Sequence, residues 1–188
     1  MQEARTRVRV AIALAAFCAS GFAALLYQVS WQRLLAIFSG ADIHAATVIV
    51  AAFMAGLGLG HLTGGHVADR VSRRTSLMLF GAAECAIAAF GAISAGFYYD
   101  FLYQRLGASL AREAMPLVLF GSLLWPTFFM GASLPLLARA LTDRIETAAP
   151  MIGALYGLNT LGAAAGALTA TWVLMPQFGR SREAFASV

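Results

Sequence analysis

The sequence predicts an all-α fold, a polytopic bundle of transmembrane helices, and three observations carry that prediction. Of the 188 residues 60% are hydrophobic and only 12% charged, whereas a soluble domain carries roughly 25% charge. The apolar residues gather into five runs, each long enough to cross a hydrocarbon core of roughly 30 Å. Within those runs small residues recur every four positions, as in Ala52, Gly56, Gly60 and Gly64. On a helix that spacing makes a ridge almost free of side chains, which lets another backbone approach closely in lipid.

The elements follow in chain order. After a polar leader with Arg5, Arg7 and Arg9, an apolar run begins at Val8 and carries no charge from Val10. It continues without a breaker through Tyr27-Gln28-Val29-Ser30-Trp31-Gln32-Arg33 to Ser39-Gly40, so one long helix is expected. Tyr27 and Trp31, one turn apart, read as interfacial anchors. Asp42 stands where an N-cap is wanted for helix two. Helix three follows a basic loop and contains a single ionisable residue, Glu84. Pro116 suits the first turn of helix four, and Pro126 should kink its middle. Helix five is rich in Gly and Ala. The expectation is one transmembrane domain over residues 1–188, with approximate spans 8–38, 43–62, 77–98, 115–137 and 151–174. Ala184 to Val188 read as the opening of a sixth span that is cut off.

The net charge of +4 does not point to nucleic acid, because the arginines stand at the ends of apolar runs, where they serve topology and headgroup contact. With the N-terminus inside, the inner side receives Arg5, Arg7, Arg9, Arg70, Arg73, Arg74, Arg139 and Arg144. The outer side receives Arg33, Arg105, Arg112, Arg180 and Arg182. This bias predicts a cytoplasmic N-terminus, in a bacterial inner membrane.

Few residues could carry chemistry. Glu84 shares a helical face with Leu77, Gly81, Ala88, Gly91 and Ala95, so it is expected to point into the bundle. There it is either a proton or cation site or a structural carboxyl hydrogen-bonded to a neighbouring helix. Asn159 lies with Tyr156, Gly162 and Gly166, which suggests an interhelical hydrogen bond beside a close packing seam. Gln28 and Arg33 could line the outer mouth of a cavity. His44, His61 and His66 lack a ligand spacing, and Cys18 and Cys85 read as small hydrophobes, so no metal or cofactor is expected. There is no G-x-S-x-G, P-loop or C-x-x-C.

The loop Gly65 to Arg74 reads G-x-x-A-D-R-x-x-R-R and resembles the signature between the second and third helices of major facilitator transporters. The resemblance implies that Asp69, Arg70, Arg73 and Arg74 latch helix ends together on the cytoplasmic side. Asp69 is a natural N-cap, and Ser72 replaces a glycine usual in that motif. Ser20 to Leu35, Ala52 to Arg70, Met130 to Arg139 and Leu155 to Ala163 are similar to the membrane portion of fused transporter-like/spermidine-synthase-like proteins. In that family a soluble aminopropyltransferase-like domain follows the helices, and this chain ends before any such segment.

The fold expected is therefore five or six helices resembling half of a major facilitator, with an inner face that needs a second copy, another membrane protein or lipid. The function expected is a non-catalytic membrane module, an anchor or accessory subunit and not an enzyme. The alternative is a half-transporter for a small cation or polyamine, completed by dimerisation, with Glu84 as its site.

Overall fold

The computed structural model describes residues 2–39, 43–98, 115–142, 145–174 and 176. All of the long elements among them are helices: α1 (Gln2–Ser39), α2 (Ile43–Ala68), α3 (Arg73–Gly96), α4 (Met115–Leu141) and α5 (Ala148–Thr169). A short 3₁₀ turn, Ile145–Thr147, leads into α5, and a π-helical segment, Ala170–Leu174, ends it. Among the described residues five stretches are long and apolar enough to cross a membrane: Val10–Gln32, Thr47–Ala68, Arg73–Ser94, Leu117–Leu141 and Ala148–Leu174. The expected Asp42 cap and the 99–114 connection, with Arg105 and Arg112, lie outside the described residues.

Two helix boundaries differ from expectation. Helix α2 runs six residues beyond Leu62, to Ala68, and α3 begins at Arg73 instead of Leu77. Most of the basic loop is therefore helical, and only 69–72 lie between the two helices. Tertiary contact at Gly64 holds α2 in register past the apolar run, and Ser72 starts α3 early by capping it.

The chain divides into two compact units, Met1–Trp31 with Gly153–Val188, and Gln32–Ile152. In the first, α1 and α5 meet backbone to backbone. A Cβ on Gly162 would collide with the Cys18 carbonyl, and one on Gly166 with the Phe22 carbonyl. From the other side, a Cβ on Gly21 would stand 2.6 Å from Asn159 Oδ1. Only glycine permits this approach, in which Cα–H groups face carbonyl oxygens.

In the second unit α4 is packed by both α2 and α3. The ridge of α2 lies along α4 in parallel. A Cβ on Gly56 would fall 2.7 Å from Thr127 Cβ, one on Gly60 2.9 Å from Ala132 N, and one on Gly64 2.8 Å from Ala132 Cα. Gly131 of α4 answers with the same closeness to Leu57, at 2.9 Å from its Cα. Ala52 is fully buried one turn before the ridge. Thr127 fits the notch at Gly56 and satisfies its hydroxyl on its own helix, donating to the Leu123 carbonyl at 2.8 Å. The α4 helix continues through Pro126 and Pro135, and Pro135 Cγ itself borders Gly64.

Helix α3 runs antiparallel to α4 and is held by hydroxyls and bulk instead of glycine. Ser76 Oγ donates to the Leu136 carbonyl at 2.8 Å, and Phe80, Ala83 and Ile87 are buried. At the far end, fully buried Tyr98 meets Ser122 Oγ at 3.2 Å within a cluster of Phe90 and Phe97.

The glycines of α2 predict a contrast. Gly60→Ala should lower the melting temperature in detergent, because its methyl meets backbone that cannot yield, at a cost of about 1–3 kcal/mol. Gly58→Ala, with nothing within 4 Å of its Cβ, should be neutral or stabilising by up to about 1 kcal/mol. Equal losses for the two variants would disprove the seam.

Candidate functional site

The polar groups of the second unit converge where α2 ends, α3 begins and α4 ends. Helix α2 closes with Asp69 N–H donating to the Gly65 carbonyl and Arg70 N–H to the Val67 carbonyl, both at 3.0 Å. Arg70 then folds back, its Nη1 donating to the His66 carbonyl at 2.8 Å. Ser72 follows in extended conformation, and its Oγ accepts from Thr75 N–H at 3.2 Å. Its carbonyl accepts the Ser76 N–H at 2.8 Å. Ser72, not Asp69, is thus the N-cap of α3. The expectation for Asp69 fails on register, because the cap must directly precede the first helical residue and Asp69 stands four residues before Arg73.

Two arginines tie the three helix ends together. Arg73 donates through Nε and Nη2 to the Ala140 carbonyl, at 3.2 and 3.1 Å, so the first residue of α3 caps the last turn of α4. Arg139 donates through Nε to the Ala68 carbonyl at 3.3 Å, so α4 in turn caps α2. Both bonds are partly buried, and both put a cation where carbonyls without an intrahelical partner carry the negative pole of a helix. Arg74 is exposed and Gly65 has open space around it.

Arg139 was missed as a member of this cluster, although its position supplied a signal. It is a basic residue in the last turn of an apolar helix, the place where cations meet terminal carbonyls. What the sequence does not hold is that the carbonyl it reaches belongs to α2.

The other candidate residues are dispersed. Glu84 is half-buried, but the stripe expected to share its inward face is turned away from α4: Leu77 is 48% exposed, Ala88 is exposed, and Gly81 has nothing within 4 Å of its Cβ position. The face buried on α4 is instead Ser76, Phe80, Ala83, Ile87 and Ser94. Helix α4 accepts bulk and hydroxyls from α3, and its glycine contact is already taken by α2. Glu84 sits at the edge of that buried face. The Ala95 side chain is outside the described residues.

Asn159 is half-buried in the α1–α5 seam against Gly21, whereas Tyr156 is exposed and off the seam. Gln28 is half-buried on α1, and the Arg33 side chain lies outside the described residues. Trp31 is only 3% exposed and stacks on Tyr27 at 5.5 Å, so it packs instead of anchoring at an exposed interface. His61 is exposed, with Nδ1 2.7 Å from the Leu57 carbonyl of its own helix, and His66 is exposed. His44 lies outside the described side chains. No group of three or more His, Cys, Asp or Glu is assembled for a metal among the described residues.

The cap predicts its own test. Ser72→Ala should destabilise the second unit by about 1 kcal/mol, while Asp69→Asn should stay within about 0.5 kcal/mol. In the same experiments Arg73→Gln should speed amide exchange in residues 138–142 as well as at the start of α3. Exchange confined to α3 in that variant would show that Arg73 does not brace α4.

Comparison with known proteins adds a name to the geometry. The chain is 33% identical over 189 residues to polyamine aminopropyltransferases of Mycobacterium tuberculosis and Mycobacterium bovis. The match covers 97% of this chain and 34% of those proteins, so the chain spans about a third of the length of the curated relatives it matches. No protein-family model matches it, and no solved structure does. The expectation that the chain is not an enzyme is contradicted, since the proteins to which nearly the whole chain is similar bear an enzyme's name. That expectation treated a missing soluble segment as missing activity, and where a chain ends carries no such information.

Proposed function

We propose that this chain is the membrane-embedded helical portion of a polyamine aminopropyltransferase-like protein, the portion that places that activity at a bilayer. The extent of the similarity carries the reading: 97% of the chain takes part, including all five helices long enough to span. Helices suit that role because each satisfies its backbone hydrogen bonds within itself, which a hydrocarbon environment requires. The resemblance of Ser20 to Leu35, Met130 to Arg139 and Leu155 to Ala163 to transporter-like/spermidine-synthase-like membrane proteins supports the same assignment.

The arginine distribution supports a cytoplasmic N-terminus in a bacterial inner membrane, which puts the Arg70–Arg74 end on the cytoplasmic side. A neighbouring helix, from another membrane protein or a second copy, is part of the proposal. Gly81, Gly153 and Gly157 have nothing within 4 Å of their Cβ positions, and a glycine in a helix costs about 1 kcal/mol relative to alanine unless close approach uses it.

A second reading, transport of a small cation or polyamine by a half-transporter, is favoured by one observation. Glu84 is a half-buried carboxyl inside the span Arg73–Ser94, about 16 Å along it at 1.5 Å per residue. A carboxyl at that depth is costly enough to be a functional candidate by default.

One set of measurements separates the readings. Membranes containing the whole polypeptide should resist alkaline carbonate extraction and should transfer a labelled aminopropyl group to a polyamine acceptor. Glu84→Gln should leave that transfer within about twofold of wild type, since the amide keeps the carboxyl's shape and much of its hydrogen bonding. Activity that stays in the supernatant would refute membrane placement. Polyamine uptake by proteoliposomes that vanishes in a folded Glu84→Gln variant would put transport first.

A further inference from the structure

We propose that the α2–α3 end of the second unit binds an anionic phospholipid through Arg70 and Arg74, a site that rests on the membrane reading and is independent of aminopropyl transfer. One span ends at Ala68 and the next begins at Arg73, which sets the intervening residues at headgroup level. Of the arginines gathered there, Arg73 and Arg139 are engaged with the Ala140 and Ala68 carbonyls. Arg70 and Arg74 are exposed. Arg70 is held by its bond to the His66 carbonyl at an exposed position. Arg74 lies in the first turn of α3, where free backbone N–H groups and the positive pole of the helix reinforce its charge. Exposed His66 adds a further polar group, and among the described residues between α2 and α3 the acid Asp69 is exposed and offsets the arginines only in part. A phosphodiester matches a guanidinium fork well.

The apolar surface beside the arginines selects a lipid over a free phosphate. Leu77 and Met78 are three and four residues beyond Arg74, hence on its face of α3, and are 48% and 59% exposed. On α2, Val67 in the last turn before Arg70 and Leu62 further back are also exposed. Cationic heads above bare aliphatic side chains fit a molecule with a phosphate at one end and acyl chains at the other.

The site is tested by native mass spectrometry of the intact protein released from nanodiscs. Wild type should retain phosphatidylglycerol in preference to phosphatidylcholine, and excess inorganic phosphate should not displace it. Arg74→Gln should weaken retention roughly fivefold and Arg70→Gln/Arg74→Gln further, with Arg74→Lys keeping most of it. Thermal melting of each variant reports folding, and carbonate extraction separately reports membrane placement. Equal retention of the two lipids by wild type, a folded double variant that retains phosphatidylglycerol as wild type does, or displacement by inorganic phosphate would each overturn the proposal.

Discussion

The second unit depends on two parallel helices, α2 and α4, lying so close that backbone meets backbone at Gly60 and Gly131 and only Thr127 and Pro135 enter the seam at Gly56 and Gly64. Lipid offers little reward for burying one apolar helix on another, so close van der Waals contact and polar links must supply the attraction. Gly56, Gly60, Gly64 and Gly131 permit the contact. Parallel packing has an electrostatic cost, because both helices then end side by side and bring two negative poles together. Arg139 and Arg73 meet that cost by reaching the terminal carbonyls of α2 and α4. The glycine seam creates the need for the arginines and also brings the carbonyls within their reach.

Helix α3 completes the arrangement with the opposite polarity. Running antiparallel, it delivers its positive N-terminal pole, its Ser72 cap and Arg73 to the end where the two negative poles meet. Its packing on α4 needs no glycine, because Ser76 donates to a backbone carbonyl at one end and Tyr98 and the rings around it fill the other. One helix thus receives two neighbours by different means. That division explains how α4 can contain both Pro126 and Pro135, which the contacts on either side hold in a single helix.

The spans were legible in the sequence because length and hydropathy alone set them. The glycine period of α2 was equally plain, since a four-residue repeat maps directly onto one helix face. The partner of that face was not, because periodicity shows a surface and not what lies on it. The inward face of α3 was misread for a related reason. Gly81, Ala88 and Gly91 make as smooth a stripe as α2 does, yet α4 had already given its close contact to α2 and took the bulkier face of α3. The basic loop was legible as a cluster, but its division into Ser72 as cap, Arg73 as brace and Arg70 as a local contact depends on exact register, and Arg139 joins from about 70 residues away. The kinship with spermidine-synthase-like proteins was legible in the helix motifs, and only the expectation of a non-enzyme, an argument from absence, failed.

The first unit has a consequence for biosynthesis. Its two helices stand at opposite ends of the sequence, with Gly21 against Asn159, whereas α2, α3 and α4 are consecutive. During synthesis at roughly 5–20 residues per second, the three consecutive helices can pair as soon as α4 leaves the ribosome, while α1 waits on the order of ten seconds for α5. Throughout that wait the carbonyls of Cys18 and Phe22 face lipid in place of Gly162 and Gly166. Insertion therefore passes through a stage in which the face of α1 around Cys18, Gly21 and Phe22 lacks its α5 partner and is open to capture by a chaperone or by another nascent chain.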